Sequence, residues 1–341
     1  MNDILSADTA GLAEIFASLG EKPYRARQLY EWLHVKNAAS YPEMTNLPKN
    51  LRSVLEKDYP ILGVERETMQ ESREDGTRKY LFRLFDGNFV ESVLMKYRHG
   101  DSVCISSQVG CRMGCRFCAS TIDGWTRNLT PGEMLAQIYA IQRDVRERIS
   151  NVVVMGTGEP LDNYENLVHF LKMLTDENGL NISQRNVTVS TCGIVPGIRR
   201  LAEEGLQINL ALSLHAPDSG MRAGLMPIEK KYPLPEAMAA MDAYYLATGR
   251  RLTFEYSLIR GVNDSEADAE RLSALLHGKN CLVNLIFINP VKERDYRESG
   301  HSEAAAFKKK LEKNGIHVTI RREMGRDIDG ACGQLRKRYM T

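Results

Sequence analysis

Several common features are missing from this 341-residue chain, and each absence narrows what it can be. No apolar run approaches the roughly eighteen residues that a membrane helix needs, so no membrane role is expected. The opening residues Met1-Asn-Asp-Ile-Leu5 carry neither the basic nor the apolar stretch of a secretory leader. Charge of one sign is not in excess: 45 Lys and Arg stand against 44 Asp and Glu, and a net +1 gives no global pull toward nucleic acid. There is no phosphate-binding GxxxxGK[ST] loop, no internal repeat and no low-complexity tract. Seven cysteines are an odd number without the spacing of a disulfide framework, which points to a reduced, cytoplasmic setting. What remains, 43% hydrophobic and 26% charged, is an ordinary folded protein, long enough for one large domain and an appendage.

The pattern along the chain changes twice. From Asp8 to about Lys57, apolar residues recur at helical spacing (Leu12, Ile15, Phe16, then Leu29, Tyr30, Leu33), and Pro23, Pro42 and Pro48 divide them into short helices. The basic and aromatic residues of Tyr24–Leu33 are explained by helix packing alone. From Thr77 to Tyr97 the period drops to two, with Asp86-Gly87 between the runs, and a hairpin is expected. Beyond it, short apolar strands alternate with helical patterns from Val103 to Arg321. Repeated βα units mean a parallel sheet, as a barrel or doubly wound, with chemistry at the C-terminal strand ends.

The chemistry that stands out is Cys111-Arg-Met-Gly-Cys115-Arg-Phe-Cys118. A C-x3-C-x2-C loop offers three thiolates, one fewer than a closed metal site takes. Iron–sulfur clusters are held by cysteine, usually four of them. With three, one iron of a 4Fe-4S cluster stays open to a small molecule, the arrangement that binds S-adenosylmethionine and reduces it to a radical. The alternative is a zinc-stabilised, non-catalytic RNA-binding protein with Cys104 as fourth ligand. Zinc sites more often pair two C-x2-C units, and no second unit exists here.

Other polar residues fall where such chemistry would need them. The strand after the cysteine loop ends in Met155-Gly-Thr-Gly-Glu-Pro160; Gly158 lets backbone approach a ligand, and Glu159 can accept from an ammonium group. Later strand ends carry Ser190, Ser213-Leu214-His215 and Asn289. Cys192 and Cys281, in apolar strands, read as small buried hydrophobes. Cys332, in Asp327-Ile-Asp-Gly-Ala-Cys-Gly-Gln-Leu335, lies between glycines in a loop able to present a reactive thiol. Basic residues crowd Lys308–Lys313, Arg321–Arg326 and Arg336–Arg338 on either side of it, usually the mark of a solvated face and here also of a basic rim for phosphates.

With these motifs together, the chain resembles the RlmN/Cfr family of radical S-adenosylmethionine RNA methyltransferases. The match runs through Ser106–Cys118, Met155–Leu161, Ser213–Ala216, Leu225–Ile228, Val283–Leu285 and Asp327–Leu335, most of the chain. The pairing of the cysteine loop with the Cys332 motif is what separates this family from the wider superfamily. The resemblance implies an α/β fold: a partial (β/α)6 TIM-like barrel over residues 101–341 with the C-terminal Cys332 loop. A small N-terminal helical RNA-binding domain over 1–75 and a β-hairpin connection over 76–100 complete it.

The resemblance also implies the reaction. Two S-adenosylmethionine molecules serve each turnover: one methylates Cys332, and the other, reduced at the cluster on Cys111, Cys115 and Cys118, gives a radical that activates that methyl group. The carbon adds to C2 of an adenosine. Cys104 assists proton removal and forms a transient disulfide with Cys332 that frees the product, and Glu91 matches the family's proton acceptor. Gly158, Glu159, Ser190, Ser213, Leu214, His215 and Asn289 would contact the cofactor. The implied substrates are 23S rRNA at the peptidyl-transferase centre and tRNA next to the anticodon. An external one-electron reductant such as flavodoxin and a monomeric, cytoplasmic protein are expected. Pro160, Asn163 and Tyr164 favour this C2 branch over the alternative, C8 methylation of the same rRNA adenosine with antibiotic resistance.

Overall fold

A computed structural model describes residues 3–98, 100–289, 291, 293–328 and 334–340. The chain opens with three helices, α1 (Thr9–Ser18), α2 (Pro23–His34) and α3 (Lys49–Asp58). Asp8 caps α1 by accepting from the Gly11 N–H, and Pro23 starts α2 where a helix has no hydrogen bond to lose. Three antiparallel strands follow: β1 (Glu65–Glu71), β2 (Arg78–Arg83) and β3 (Phe89–Tyr97). The β2–β3 turn is the expected hairpin, with Gly87 at φ +81°. Strand β1 was not expected. Its sequence, Glu-Arg-Glu-Thr-Met-Gln-Glu, has no apolar alternation because it is an exposed edge with little to bury.

Then comes β4 (Gly100–Ile105), a small ribbon of β5 (Gln108–Gly110) and β6 (Trp125–Asn128), and α4 (Pro131–Val145). The alternation continues through β7 (Ile149–Val154), α5 (Tyr164–Thr175), β8 (Val187–Thr191), α6 (Val195–Glu203) and β9 (Asn209–Ser213). It runs on with α7 (Ser219–Leu225), α8 (Leu234–Thr248), β10 (Leu252–Leu258), α9 (Glu266–Leu276), β11 (Cys281–Phe287), α10 (His301–Lys313) and β12 (His317–Ile320). A last helix, α11, spans Gln334–Met340. Helix α6 opens with Pro196 and Gly197, residues that look like breakers. Both sit in its first turn, where proline costs nothing and Gly197 leaves room for Leu161.

The strands form one sheet in the order β1-β2-β3-β4-β7-β8-β9-β10-β11-β12, parallel from β4 onward. Six βα units feeding a row that does not close make the partial barrel. Side chains alternate accordingly. In β11, Val283, Leu285 and Phe287 join the core with Leu272 of α9 and Phe307 of α10, while Leu282 and Asn284 line a cavity on the concave side. No helix among the described residues is long and apolar enough to cross a membrane.

The N-terminal helices share the core of the barrel. Tyr30 donates to Asp176 Oδ2 at 2.7 Å, and His34 Nδ1 meets the Tyr139 hydroxyl at 2.6 Å, wholly buried. Burial holds the His34 pKa near 3, and burial followed by the nearby Arg222 charge does the same for His215. In the unfolded chain both would titrate near 6.5, so unfolding takes up protons below that pH. The stability these two neutral histidines contribute is therefore complete above pH 6.5 and is lost as pH drops toward 3. We expect His34→Gln, which can still accept from Tyr139, to narrow the stability gap between pH 7 and pH 5 by about 2 kcal/mol relative to the parent, measured by urea denaturation at both pH values.

Candidate active site

The ribbon β5–β6 exists to hold the cysteine loop. Gly110 has φ +76°, and a Cβ there would lie 2.0 Å from the Gly124 carbonyl oxygen, which accepts from the Cys111 N–H at 2.8 Å. Only glycine permits that approach. Beyond it the loop folds on itself: Cys118 N–H donates to Cys115 O, and the Thr121 hydroxyl lies within reach of the carbonyls of both Cys115 and Cys118. Cys111 and Cys115 are buried and Cys118 is half-buried. Burial first, then the Glu159 carboxylate and the Cys118 sulfur, pushes the Cys111 thiol up to about 12; burial raises Cys115 further.

Three thiols in one short loop suit a cluster that keeps one iron open; Cys192, outside the loop, packs against Cys115. Among the described residues no three Cys, His, Asp or Glu converge as the ligands of a single ion, and a cluster with a separate iron for each thiolate does not ask them to. Cys104 is not with them. It packs on Val93 and Met95, whereas Cys115 packs with Cys192, Leu225 and Met226, so the four-thiol zinc arrangement has no geometric support.

The strand end after β7 is stitched to that of β4. Gly156 donates to Ile105 O, and any Cβ on it would meet Ile105 at 2.7 Å. Gly158, at φ +111°, presses against Gln108 with the same closeness. Glu159 is buried; Oε2 accepts from Cys192 N–H at 2.8 Å and Oε1 from Leu161 N–H at 3.1 Å. Burial raises its pKa, opposed by those bonds. The carboxylate thus braces the loop and supplies the acceptor that an incoming ammonium would need.

Across the mouth, the Ser190 and Ser213 hydroxyls meet at 3.2 Å. His215 adopts φ +54°, and its Nδ1 accepts from Ser257 N–H at 3.0 Å, so the neutral ring carries its proton on Nε2. The ring lies edge-to-face on Phe117 of the cysteine loop at 4.8 Å. Leu214 is buried, while Asn289 is exposed at the end of β11 without a hydrogen bond among the described residues.

Glu91 and Cys104 stand on β3 and β4, one strand pair away. Glu91 is buried, paired with Lys79 Nζ at 2.7 Å, and its Oε1 accepts from Arg336 N–H at 2.6 Å. Cys332 lies outside the described residues, but the chain on both sides of it is fastened to this antiparallel wing. Gly325 donates to Asp75 and Arg73 to Asp327 before it; Arg336 binds Glu91, and Tyr339 packs on Phe89 after it. The basic stretch in α10 is partly neutralised, with Lys310 on Glu266 and Glu270 and Lys308 on Glu312.

Arg222 carried no signal in the sequence, yet it is wholly buried and ties together the ends of β8 and β9. Its guanidinium pairs with Glu229 at 2.7 Å and donates to the carbonyls of Cys192, Ser213 and Leu214. Lys79 was missed for the same reason: a lone basic residue in a strand looks like surface.

The comparisons agree with one another. The model of the radical SAM superfamily matches residues 105–272, and that of the ribosomal RNA large subunit methyltransferase N-terminal domain matches residues 2–61. The protein of Lachnospira eligens named probable dual-specificity RNA methyltransferase RlmN is 60% identical over 340 residues, which cover 100% of this chain and 97% of that one. Its namesake in Lachnoclostridium phytofermentans is 61% identical over 96% of this chain and 93% of its own. A crystal structure of a radical SAM methyltransferase from Sphaerobacter thermophilus superposes with a TM-score of 0.95 at 43% identity, covering 98% of this chain and 99% of that one.

Removing Arg222 strands a buried carboxylate. Arg222→Met should cost about 3–5 kcal/mol in urea denaturation. Adding Glu229→Leu should recover part of the loss, since no charge is then left alone; a double variant no more stable than Arg222→Met would refute the pairing as the cause.

Proposed function

Because the chain belongs to the RlmN family of radical S-adenosylmethionine RNA methyltransferases, we propose that it methylates C2 of adenosine in 23S rRNA and in tRNA beside the anticodon. Full-length identity at 60% to a relative bearing that dual-specificity name is the observation that carries the reading. A 4Fe-4S cluster and two S-adenosylmethionine molecules per turnover belong to it, and when bound they supply the radical that a carbon as unreactive as C2 requires.

The residues take the following parts. Cys111, Cys115 and Cys118 hold the cluster. Gly158 and Glu159 receive the methionine end of the cofactor, and Ser190, Ser213, Leu214, His215 and Asn289 receive the rest. His215, neutral and with its proton on Nε2, offers a donor at the mouth that stays unchanged over the working pH range. Cys332 carries the methyl group to the base and is joined to it. Cys104 assists in removing the C2 proton with Glu91 nearby, then closes a disulfide on Cys332 that releases the methylated RNA. The attachments of Gly325, Asp327 and Arg336 to the wing that bears Glu91 support this, since they bring the stems of the Cys332 loop to the same side as Cys104.

Residues 1–75 contribute to RNA binding, 76–100 connect, and 101–341 perform the chemistry. The setting is a cytoplasmic monomer served by an external one-electron donor such as flavodoxin.

Nucleoside mass spectrometry on unmodified RNA, treated anaerobically with reconstituted protein, reductant and S-adenosylmethionine, tests the assignment. The expected product is 2-methyladenosine; 8-methyladenosine would move the chain to the Cfr branch. Cys104→Ala should accumulate protein covalently attached to RNA on denaturing gels, and Cys332→Ala should give neither adduct nor product. Free methylated RNA from Cys332→Ala would sink the carrier role.

A further inference from the structure

Below the mouth, on the concave side of the sheet, lies a cavity of about 580 Å³. That is within the roughly 300–1,000 Å³ of small-molecule sites. It reaches from Met95 and Tyr97 on β3 across the barrel strands to Arg321, the residue after β12, so both lips of the unclosed barrel line it. None of Gly158, Glu159, Ser190, Ser213, Leu214, His215 or Asn289 contributes to it. The space is therefore lined by other residues than those assigned to the cofactor, though Glu255 stands in register beside Ser213 and the two sites adjoin there.

Three features describe its occupant. First, Met95, Tyr97, Val153 and Met155 line the cavity and also pack around Cys104, so the cavity and that thiol share a wall. Second, Arg250, Arg251 and Arg321 border it, and none of them pairs with a carboxylate among the described residues. Arg250 spends one N–H on Asn209, while its buried Nε has no partner. Third, the cavity holds a single carboxylate, Glu255. It is buried, which raises its pKa against the opposing pull of Arg321 and Asn284. Its Oε2 accepts from Asn284 Nδ2 at 3.0 Å, and Oε1 accepts from nothing among the described residues.

An acceptor on a largely buried carboxylate that opens onto a cavity is placed to take a donor from a ligand. One apolar wall of Met95, Tyr97, Val153 and Met155 with a thiol in the same cluster, an opposite side of polar groups with one carboxylate, and arginines at the border match a purine nucleotide turned out of an RNA chain. We propose, resting on the methyltransferase reading above, that this cavity receives the target adenosine and that Glu255 recognises it by accepting a hydrogen bond from the exocyclic amino group. The base lies against the Met95–Met155 wall with its ring edge toward Cys104, and flanking phosphates meet Arg251 and Arg321. Guanine, which presents a carbonyl oxygen at that position, is rejected by the carboxylate. The adenine of S-adenosylmethionine has the same edge, but the residues assigned to it, Ser190 and Ser213 among them, do not line this cavity although they lie level with Thr253 and Glu255 on the neighbouring strands.

The test compares two RNA hairpins, with adenosine or purine riboside at the target position; the second lacks only the amino group. Holoenzyme is assayed anaerobically, and methylated nucleoside is counted by mass spectrometry. The parent should prefer adenosine by at least about tenfold in kcat/KM, and Glu255→Ala should bring the two substrates to within about threefold. Glu255→Gln covers the case in which the cavity collapses. It is isosteric, and its carbonyl would take the Asn284 N–H, leaving an NH2 toward the base, so the preference should fall here too. Variants that keep the parent's preference would overturn the assignment, as would a rise in KM for S-adenosylmethionine with the preference intact, which would give Glu255 to the cofactor. A parent that makes 2-methyladenosine without discriminating the two hairpins overturns the pocket alone. A parent that methylates no RNA overturns the underlying reading, and the pocket with it.

Discussion

The C-terminal ends of parallel strands finish with backbone N–H and carbonyl groups that the next strand no longer pairs, and at a mouth walled by loops there is little water to take them. Each must find a partner or cost free energy comparable to a lost hydrogen bond. This protein meets the demand with a handful of buried polar side chains. Gln137 binds both the N–H and the carbonyl of Ser106; Asn163 takes the carbonyls of Ser107 and Leu129; Asn263 takes those of His215 and Ser257. Glu159 and Arg222 close the remaining gap between β7, β8 and β9. Rigid strand ends are what allow the cysteine loop, the Gly158 turn and His215 to converge, because every one of them hangs from a strand end fixed in this way.

That requirement also explains which parts of the molecule could be read from the residues in order. Alternation of period two and recurrence of period 3.6 report which face of an element is buried, and the barrel strands bury one face strongly, so the strand and helix alternation from Val103 onward is legible, with β4 starting three residues before that point. The cysteine loop was legible because its chemistry depends on spacing along the chain. Strand β1 buries almost nothing, and α6 opens on Pro196 and Gly197, so neither carries the signal that periodicity needs. Arg222, Lys79 and Glu255 were invisible for a deeper reason. Charged residues are rarely fully buried, and what makes these three exceptions is a partner distant in sequence or a cavity that exists only once the sheet has curved.

The antiparallel wing has a part of its own. A (β/α)6 row that fails to close leaves its first strand as an edge, and exposed edges invite unwanted pairing. Strands β1–β3 cover that edge on β4 and at the same time bring Glu91 and Lys79 beside it. The buried pair is costly unless both charges are satisfied. Glu91 is satisfied in part by the backbone of α11, so the C-terminal helix docks where the wing has an unfilled acceptor. Burial of a charge on one element thereby directs where another, far along the chain, must settle.

The two ends of the concave surface divide the chemistry by polarity. At the mouth, Glu159 and His215 are braced on backbone N–H groups and the Ser190 and Ser213 hydroxyls on each other, so a ligand there meets side chains already held in place. The cavity below retains unspent capacity: arginines without carboxylates, and a carboxylate with one oxygen unused. A site that has satisfied itself can hold a cofactor by shape and a few contacts, releasing it after each cycle. A site with acceptors and cations still open discriminates more sharply, because a base without the matching donor would forfeit its hydrogen bond to Glu255.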